Sequence, residues 1–276
     1  MVESSFCLRI PRTRPERALE KIRNSAFYQR LRCLKENILM HTQPRGRENL
    51  RRLSSLRDAH RGQRCFVIGN GPSLRNTDLS KLKQEFTFGL NRIYLLFPEL
   101  GFRTTFLVAI NRLVLEQVGN ELLSFPGSLF LPWSARTHIA AAPSANLHFV
   151  QTGCRRPSFN GDSRRPIWSG TTVTYVALQL AYHMGFEQVI LVGVDHSFST
   201  QGPPHKEVTS EGEDPNHFDP NYFGKGFRWQ LPDLATSELA YKLARDAYGT
   251  TGRQVLDATV GGQLQVFPKV DYSSLF

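Results

Sequence analysis

No stretch of the chain approaches the roughly 20 consecutive apolar residues that a membrane-spanning helix requires. The N-terminal stretch MVESSFCLRIPRTRPER also has no apolar core of the kind found in secretory signal peptides. Both absences argue against an integral or a secreted protein. We therefore expect a cytoplasmic protein that is either soluble or peripheral at the inner face of a membrane.

Cysteine is scarce, and the four cysteines are spread over 276 residues without a CxxC pair or a histidine at metal-ligand spacing. This pattern indicates neither a disulfide framework nor a zinc site. The chain is nevertheless long enough to bury a sizeable core without cross-links. Its 40% apolar and 21% charged residues are typical of an ordinary globular protein.

A basic excess is absent from most of the chain. Residues 1–64 contain 16 Lys and Arg against 6 Asp and Glu, whereas the remaining 212 residues contain 18 of each kind. The net charge of +10 therefore belongs to the N-terminal segment. Such a segment indicates docking to a membrane, an acidic partner or nucleic acid, and it indicates little about the site itself. Because the excess is confined to this segment, we rank nucleic acid below the other two partners.

An amphipathic basic helix is predicted over residues 15–40. Its apolar residues recur at three- and four-residue steps and are Leu19, Ile22, Ala26, Phe27, Leu31, Leu34 and Ile38. Two interpretations stay open: the helix packs on its own domain, or it attaches to an anionic membrane surface or a protein partner. The stretch HTQPRGRENLRR is interpreted as a linker and a second short helix. We therefore divide the chain into a basic helical extension (1–61) and a Rossmann-like catalytic domain (62–276).

From residue 64 onward, short apolar strands alternate with helices. Strands are predicted at residues 64–69, 86–90, 104–110, 128–133, 147–150 and 187–195, and a last helix and strand at 237–259. A short helix capped by Asp78 and a longer helix stopped by Gly185 lie between them. This alternation is typical of a parallel sheet covered on both faces. The predicted fold class is α/β, a Rossmann-like, mostly parallel sheet with helices on both faces, plus the N-terminal extension.

Two familiar phosphate-binding motifs are missing. GNGPSL at residues 69–74 resembles the dinucleotide fingerprint GxGxxG, but Leu74 stands in place of the third glycine, and no GxxxxGK[ST] occurs. What remains is a glycine turn after the first strand. A ligand can approach Gly71 closely there, and Ser73 offers a hydroxyl to a phosphate or a sugar.

The stretch WSGTT provides a second place for an anion. Ser169, Gly170 and Thr171 precede a predicted helix N-terminus, where free backbone N–H groups and the helix dipole favour negative charge. The same pattern is also common as a helix N-cap that binds no ligand. Its place before a strand that ends in Gly-Val-Asp-His strengthens the functional interpretation.

Four predicted strands end in a polar side chain. Asn70 follows the first strand, Asn91 the second, Asn111 the third and Asp195 the sixth. Because ligands of parallel sheets bind beyond the carboxyl ends of the strands, we expect these side chains to meet around one crevice. An amide both donates and accepts, which suits a nucleobase edge and sugar hydroxyls. The sequence therefore predicts a site for a phosphorylated nucleotide.

Residues 196–229 are predicted to lack regular structure, because they are rich in Gly, Pro and Asp, and to form a lid or an acceptor-binding loop. A histidine of this loop can deprotonate an acceptor hydroxyl near neutral pH. We place His217 first for this role and His205 second. Tyr222 and Arg228 are candidates for bonding a leaving phosphate.

The motifs VIGNGPSL, SGTTVTYVALQLAYHMGF and VILVGVD, together with Asn91 and Asn111, resemble two related groups of proteins. One is glycosyltransferase family 42, the bacterial sialyltransferases. The other is the MptE-like group, which includes archaeal 6-hydroxymethylpterin diphosphokinase and some flagellin-glycosylating proteins. The resemblance spans roughly residues 64–260.

The resemblance to the sialyltransferases implies a donor site for CMP-sialic acid. The matching residues are Asn70, Gly71, Ser73, Asn91, Asn111, Ser169, Gly170, Thr171 and Asp195. It also implies inversion at the anomeric carbon without an obligatory metal or other cofactor, a histidine as base and tyrosines on the departing phosphate. In that family the histidine lies just before the last helix, where this chain has Arg228-Trp229-Gln230. A shifted base, a different acceptor or a different reaction therefore stays open.

Three functional hypotheses follow. The first is a glycosyltransferase that uses a CMP-activated acidic sugar and a glycan or other hydroxyl acceptor. The second is a pterin diphosphokinase that needs ATP and Mg²⁺, with Asp195 as a candidate metal ligand. The third is a non-catalytic module for nucleotide binding or membrane docking. The sequence leaves open whether the chain forms a homo-oligomer.

Overall fold

A seven-stranded sheet forms the centre of the structure, a computed structural model that describes residues 26–138, 145–153 and 156–276. The strands are β1 (Arg64–Ile68), β2 (Phe86–Leu90), β3 (Phe106–Val108), β4 (Ser128–Pro132), β5 (Leu147–Val150), β6 (Gln188–Val192), β7 (Glu207–Thr209), β8 (Arg228–Gln230) and β9 (Gln254–Asp257). β7 and β8 form a separate antiparallel hairpin. The other seven strands are all parallel, in the order β5-β4-β3-β2-β1-β6-β9. The predicted α/β class is confirmed.

Six α-helices are described around the sheet. They are α1 (Ala26–Thr42), α2 (Pro44–Ser55), α3 (Phe97–Leu100), α4 (Arg112–Leu123), α5 (Val173–His183) and α6 (Leu234–Gly249). Short 3₁₀ segments occur at Pro72–Asn76, Leu79–Gln84, Ile93–Leu96, Trp133–Thr137 and Tyr272–Leu275. None of the helices in the described ranges is long and apolar enough to cross a bilayer.

Both faces of the sheet are covered, because successive residues of each strand point to opposite sides. Val67 of β1 lies in one core cluster with Leu178 of α5 and Ala244 of α6. Its neighbour Ile68 lies in a second cluster with Leu122 of α4. Each large apolar side chain that is fully buried in this way contributes about 1.5–3 kcal/mol to stability.

The position of β1 determines where a ligand can bind. β1 pairs with β2 on one side and with β6 on the other, so the chain builds the sheet outward from β1 in both directions. The 3₁₀ segments after β1 pack in the second cluster through Leu74 and Leu79, whereas α6, which lies between β6 and β9, packs in the first cluster through Ala240. A crevice forms between these two connections at the carboxyl ends of the strands.

The prediction that residues 196–229 lack regular structure is wrong for β7 and β8. Val208 of β7 pairs with Trp229 of β8, and Trp229 is buried with its ring centroid 5.6 Å from that of Phe223. Aromatic and β-branched residues favour a pleated, half-buried surface, and their packing outweighs the turn-rich composition. The Gly, Pro and Asp residues lie mainly in the connection between the two strands.

The N-terminal extension contacts the sheet through α2. Asn49 donates to the carbonyl of Phe149 at 2.9 Å and accepts from the N–H of Phe149 at 2.7 Å, so it completes the free edge of β5. α1 ends at Thr42 and α2 begins at Pro44, so the linker between the two helices is the single residue Gln43. The predicted helix residues Leu19 and Ile22 lie outside the described residues, and the boundary at 61/62 stays a prediction.

A buried histidine makes stability depend on pH. His148 of β5 is 4% exposed, and its ring stacks on Phe130 with 4.8 Å between centroids. Burial, and secondarily the charge of Arg52, lowers its pKa to about 4. In the unfolded chain it takes up a proton near pH 6.5, before the folded state does. We therefore expect the free energy of unfolding to fall by about 3 kcal/mol as the pH drops from about 6.5 to about 4.

Denaturant unfolding of the wild type and of His148→Gln at pH 7 and pH 4.5 measures this effect. The variant should lose less stability on acidification than the wild type, because it has no imidazole to protonate at this position. Equal losses in the two proteins would show that other groups cause the acid sensitivity.

Candidate functional site

A cavity of about 470 Å³ opens at the carboxyl edge of the sheet, beyond β1, β2, β3 and β6. Nine of the thirteen residues predicted for the site line it: Asn70, Gly71, Asn91, Asn111, Ser169, Thr171, Asp195, His205 and His217. The other four, Ser73, Gly170, Tyr222 and Arg228, lie outside its lining. The structure therefore brings the polar strand ends together around one space.

The side-chain oxygens of Asn70 and Asn91 are buried at this cavity and have no hydrogen-bond partner among the described residues. Leaving a buried acceptor unpaired costs about 1–3 kcal/mol. Asn91 also has a φ of 47°, in the left-handed region that few residues other than glycine adopt. Both residues line the cavity, so rotation of either side-chain amide would offer its oxygen to the N–H or O–H groups of a ligand.

Asn111 has a different local role. Its Oδ1 accepts from the N–H groups of Leu113 (2.8 Å) and Val114 (3.4 Å) and so caps the N-terminus of α4. This bonding explains why β3 is followed by an asparagine, since Asn is among the preferred N-cap residues. The amino group of the same side chain is what Asn111 can offer to a ligand.

Asp195 joins the end of β6 to the turn after β1. Its Oδ1 accepts from the N–H of Ser73 at 3.1 Å, and its Oδ2 accepts from the Ser73 hydroxyl at 2.7 Å. A Cβ added at Gly71 would lie 1.7 Å from Asp195 Oδ2, so any larger residue there requires the carboxylate to move. Ser73 is itself buried, and its hydroxyl orients the carboxylate. The three residues form a clamp that shapes the floor of the cavity.

The N-termini of α5 and α6 both lie at the cavity. Thr172 caps α5 by accepting from Thr174 N at 3.3 Å, and Asp233 caps α6 by accepting from Thr236 N at 3.0 Å. Residues 171–174 line the cavity. Because α5 has an uncharged cap and α6 a carboxylate, α5 is the better anion site of the two.

Strained backbone is concentrated at the cavity. Five residues other than glycine have a positive φ in the described part of the chain. Four of them line the cavity: Asn91 (47°), Thr171 (61°), His196 (56°) and His205 (64°). Each such conformation costs on the order of 1–3 kcal/mol, and strain of this kind clusters at binding and active sites.

His217 forms a hydrogen-bonded pair with Asp214. Its Nδ1 lies 2.7 Å from Asp214 Oδ2, and the two side chains are 12% and 3% exposed. The carboxylate also accepts from the N–H groups of Asn216 (2.8 Å) and Phe223 (3.1 Å), which hold it in place. With Nδ1–H donated to Asp214, His217 keeps Nε2 as the nitrogen that can accept a proton.

The ring of Tyr222 supports the imidazole of His217. The two rings are 4.0 Å apart between centroids and 8° from parallel. Tyr222 is fully buried, and its hydroxyl accepts from the N–H of Arg92 at 3.3 Å. Burial raises the pKa of this phenol well above its usual range. Tyr222 therefore lies behind His217, where its aromatic face favours a positive charge on the imidazole.

The segment that carries His217 is bonded to the turns after β1 and β2. Phe218 donates its N–H to the carbonyl of Asn70 at 3.0 Å. The guanidinium of Arg92 donates to the carbonyl of Tyr222. These contacts hold the histidine in a defined position relative to the strand-end amides.

The other predicted catalytic residues have weaker positions. His205 Nε2 lies 3.3 Å from Asp233 Oδ2, but its side chain is 56% exposed. Arg228 of β8 forms ion pairs at 3.3 Å with Glu116 and Glu207 and does not line the cavity. Both glutamates also lie outside the cavity lining, so the guanidinium of Arg228 is paired away from the cavity.

The cavity lining carries little positive charge. Arg112 is the one Lys or Arg among the described lining residues, and its guanidinium lies 2.6 Å from Glu116. Asp195 and Asp233 also line the cavity. Within the described ranges, no group of three His, Cys, Asp or Glu side chains is placed to hold a metal ion.

A family model described as 6-hydroxymethylpterin diphosphokinase MptE-like matches residues 39–201, more than half of the chain. This chain belongs to the MptE-like family. The matched span of this MptE-like chain includes Asn70, Asn91 and Asp195 and ends before His205 and His217. The resemblance to the MptE-like group, stated from the sequence motifs, is confirmed.

Two solved structures are similar in fold to this MptE-like chain. The MAf glycosyltransferase from Magnetospirillum magneticum AMB-1 is 14% identical with a TM-score of 0.50, over 83% of this chain and 39% of that protein. The sialyltransferase CstII from Campylobacter jejuni, solved with the substrate analogue cytidine-5′-monophosphate, is 14% identical with a TM-score of 0.43, over 76% and 85% of the two chains. This chain thus spans about two fifths of the MAf protein. No curated protein sequence matches it.

Sequence reasoning missed three residues of the site in this MptE-like chain. Asp214 precedes His217 by three residues in DPNH, a spacing at which side chains of a turn can meet. Asp233 stands before an apolar helical pattern, which is the signal for an N-cap. Arg92 has no sequence signal, because its contacts with Tyr222 join segments 130 residues apart.

Proposed function

We propose that the chain is an inverting glycosyltransferase that moves an acidic sugar, sialic acid or a relative, from a CMP-activated donor to a hydroxyl acceptor, without a metal. The observation that carries the proposal is the buried Asp214–His217 pair, which lies at a cavity with unpaired strand-end amide oxygens. A base held beside a nucleotide-sized cavity is what transfer to a hydroxyl group requires.

The donor is bound by the strand ends and by α5. Asn70 and Asn91 accept hydrogen bonds from the cytosine amino group or the ribose hydroxyls, and the phosphate lies at residues 171–174. Tyr222 and Arg228 lie outside the cavity, so the N-terminus of α5 takes the phosphate-binding role that the sequence assigned to them.

The reaction needs one proton transfer. Nε2 of His217 accepts the proton of the acceptor hydroxyl while the hydroxyl oxygen attacks the anomeric carbon. The bond from that carbon to the phosphate oxygen breaks, and CMP leaves with the electron pair. Attack from the face opposite the phosphate inverts the configuration. The Asp214 carboxylate and the Tyr222 ring stabilise the imidazolium that forms.

The family description supports a second candidate, 6-hydroxymethylpterin diphosphokinase activity with ATP and Mg²⁺. Diphosphoryl transfer concentrates more negative charge than a CMP-sugar carries and depends on cations to offset it. Arg112 is the one Lys or Arg among the described lining residues, and the carboxylates of Asp195 and Asp233 also belong to the lining. Both oxygens of Asp195, the candidate metal ligand, already accept hydrogen bonds from Ser73. These features favour the donor with a single phosphate.

Thermal unfolding with added ligands separates the hypotheses. We expect CMP and CDP to raise the melting temperature in EDTA, by roughly 5–10 °C at a hundredfold excess over Kd. Stabilisation by ATP or a pterin that appears only with Mg²⁺ would support the diphosphokinase instead. No response to any nucleotide would leave a non-catalytic module, and would contradict the proposed transfer.

A further inference from the structure

Exposed apolar side chains are concentrated on α1. Eight large hydrophobic residues are exposed in the described part of the chain, and five belong to this helix. Four of them form what we name the α1 stripe: Phe27, Leu31, Leu34 and Ile38, which are 49% to 71% exposed. Because they recur at three- and four-residue steps, they fall within about one sixth of the helix circumference. An apolar surface of this kind marks an interaction site.

The opposite face of α1 is attached to the domain. Met40 is fully buried. Glu36 forms an ion pair with Arg136 at 2.7 Å, and Gln151 donates to the carbonyl of Cys33 at 2.7 Å. These contacts fix the rotation of the helix about its axis, so the α1 stripe faces away from the domain.

Positive charge borders the α1 stripe on both sides. Helix geometry places Arg30 along one edge and Lys35 along the other, and both residues are exposed. Glu36 is the one acidic residue of α1, and its carboxylate is paired with Arg136. The stripe is therefore bordered by cations without a carboxylate of the same helix beside them. This charge belongs to the same segment, residues 1–64, that carries the whole net charge of +10.

We propose that α1 docks on an anionic lipid membrane. The α1 stripe enters the boundary between headgroups and acyl chains, and Arg30 and Lys35 contact the lipid phosphates. Apolar residues bordered by cations match this surface because the anionic headgroups lie at the level of the bordering side chains. The inference does not depend on the proposed glycosyltransferase activity.

A second copy of the chain fits the α1 stripe less well. A two-fold contact between identical helices would join the apolar stripes but would also bring their bordering cations together. The carboxylate of Glu36 faces the domain and is not available to separate those cations. An anionic membrane neutralises the same charges.

Flotation of the full chain with vesicles tests the proposal. We expect binding to an equal mixture of phosphatidylglycerol and phosphatidylcholine, and weak binding to phosphatidylcholine alone. The double variant Leu31→Glu/Leu34→Glu should lower the partition coefficient about tenfold or more, because it puts charge into the apolar face. Arg30→Gln/Lys35→Gln should weaken binding several-fold on the anionic vesicles alone.

The matched control is Leu239→Glu/Val260→Glu, which places the same charges at two exposed apolar residues outside α1. It should bind vesicles nearly as well as the wild type, and all variants should keep the wild-type melting temperature. Equal loss in the control and the α1 variant would overturn the proposal, as would equal wild-type binding to both vesicle types. Failure of the wild type to bind either vesicle type would also overturn the proposal. Light scattering of the wild type and the α1 variant would then show whether the α1 stripe instead joins two copies of the chain in a dimer.

Discussion

Replacing His217 with alanine is expected to lower the turnover number about a thousandfold while the affinity for CMP stays within about twofold of the wild type. His217 lines the cavity, and its Nδ1 is held 2.7 Å from a carboxylate that is 3% exposed, so the base is oriented before substrate binds. The strand-end amides that bind the nucleotide are not altered. The measurement is CMP release from a CMP-activated acidic sugar, together with calorimetric titration of CMP.

Asp214→Asn probes the orientation of the same base. An amide at this position keeps the shape but cannot stabilise the imidazolium that forms when the acceptor loses its proton. We expect kcat to fall about a hundredfold or more with KM unchanged. A purely structural role for Asp214 would instead lower the melting temperature and change KM and kcat together.

Substitutions of two other histidines serve as comparisons for His217→Ala. His41→Ala removes an exposed histidine of α1 that bonds only its own helix, and it should retain full turnover. His205→Ala should lower turnover by less than about tenfold, because His205 is exposed and its carboxylate partner caps α6. Full activity of His217→Ala, or a larger loss in His205→Ala, would remove His217 from the mechanism.

Gly71→Ala is expected to abolish stabilisation by CMP and to lower the free energy of unfolding by about 2–4 kcal/mol. The new methyl group would lie 1.7 Å from Asp195 Oδ2, so the carboxylate has to move. Movement breaks both hydrogen bonds from Ser73 and separates the turn after β1 from the end of β6. Denaturant unfolding with and without CMP measures both effects.

Gly212→Ala is the matched control for this substitution. Gly212 lies in the connection between β7 and β8, and an added Cβ there meets nothing within 4 Å. It should keep both the stability and the CMP response of the wild type. If Gly71→Ala behaved like Gly212→Ala, the clamp of Gly71, Ser73 and Asp195 would not shape the site.

The sheet and the meeting of strand ends were predictable because they depend on periodic local signals. Short apolar runs alternate with helical patterns, and parallel strands place their carboxyl ends at one edge. The polar residues that follow β1, β2 and β6 therefore indicated the site without any tertiary information. Asn70 and Asn91 met that expectation with buried oxygens that lack partners among the described residues.

The finer roles depend on contacts that sequence spacing does not encode. Ser73 appeared as a phosphate ligand, but it is bonded to Asp195, 122 residues away. Tyr222 appeared as a phosphate ligand too, yet its hydroxyl is buried against the backbone of Arg92. Arg228 faces Glu116 and Glu207 outside the cavity. In each case the residue type was suited to the predicted role, and the packing of distant segments decided its partner.

The hairpin of β7 and β8 was missed for a related reason. A segment rich in Gly, Pro and Asp has the composition of a loop, and its two strands are three residues each. The burial of Trp229 against other aromatic rings stabilises the hairpin, and such burial is decided by the fold as a whole.

A crystal structure of the full chain grown with CMP in the absence of metal would show whether the strand ends and α5 form a donor site beside His217. We expect the nucleotide in the 470 Å³ cavity, with hydrogen bonds to the side-chain amides of Asn70 and Asn91 and the phosphate at residues 171–174. The Nε2 atom of His217 should face the space left for the sugar and the acceptor. CMP bound elsewhere, or a filled cavity in which His217 cannot reach the sugar position, would rule out the proposed donor site and base.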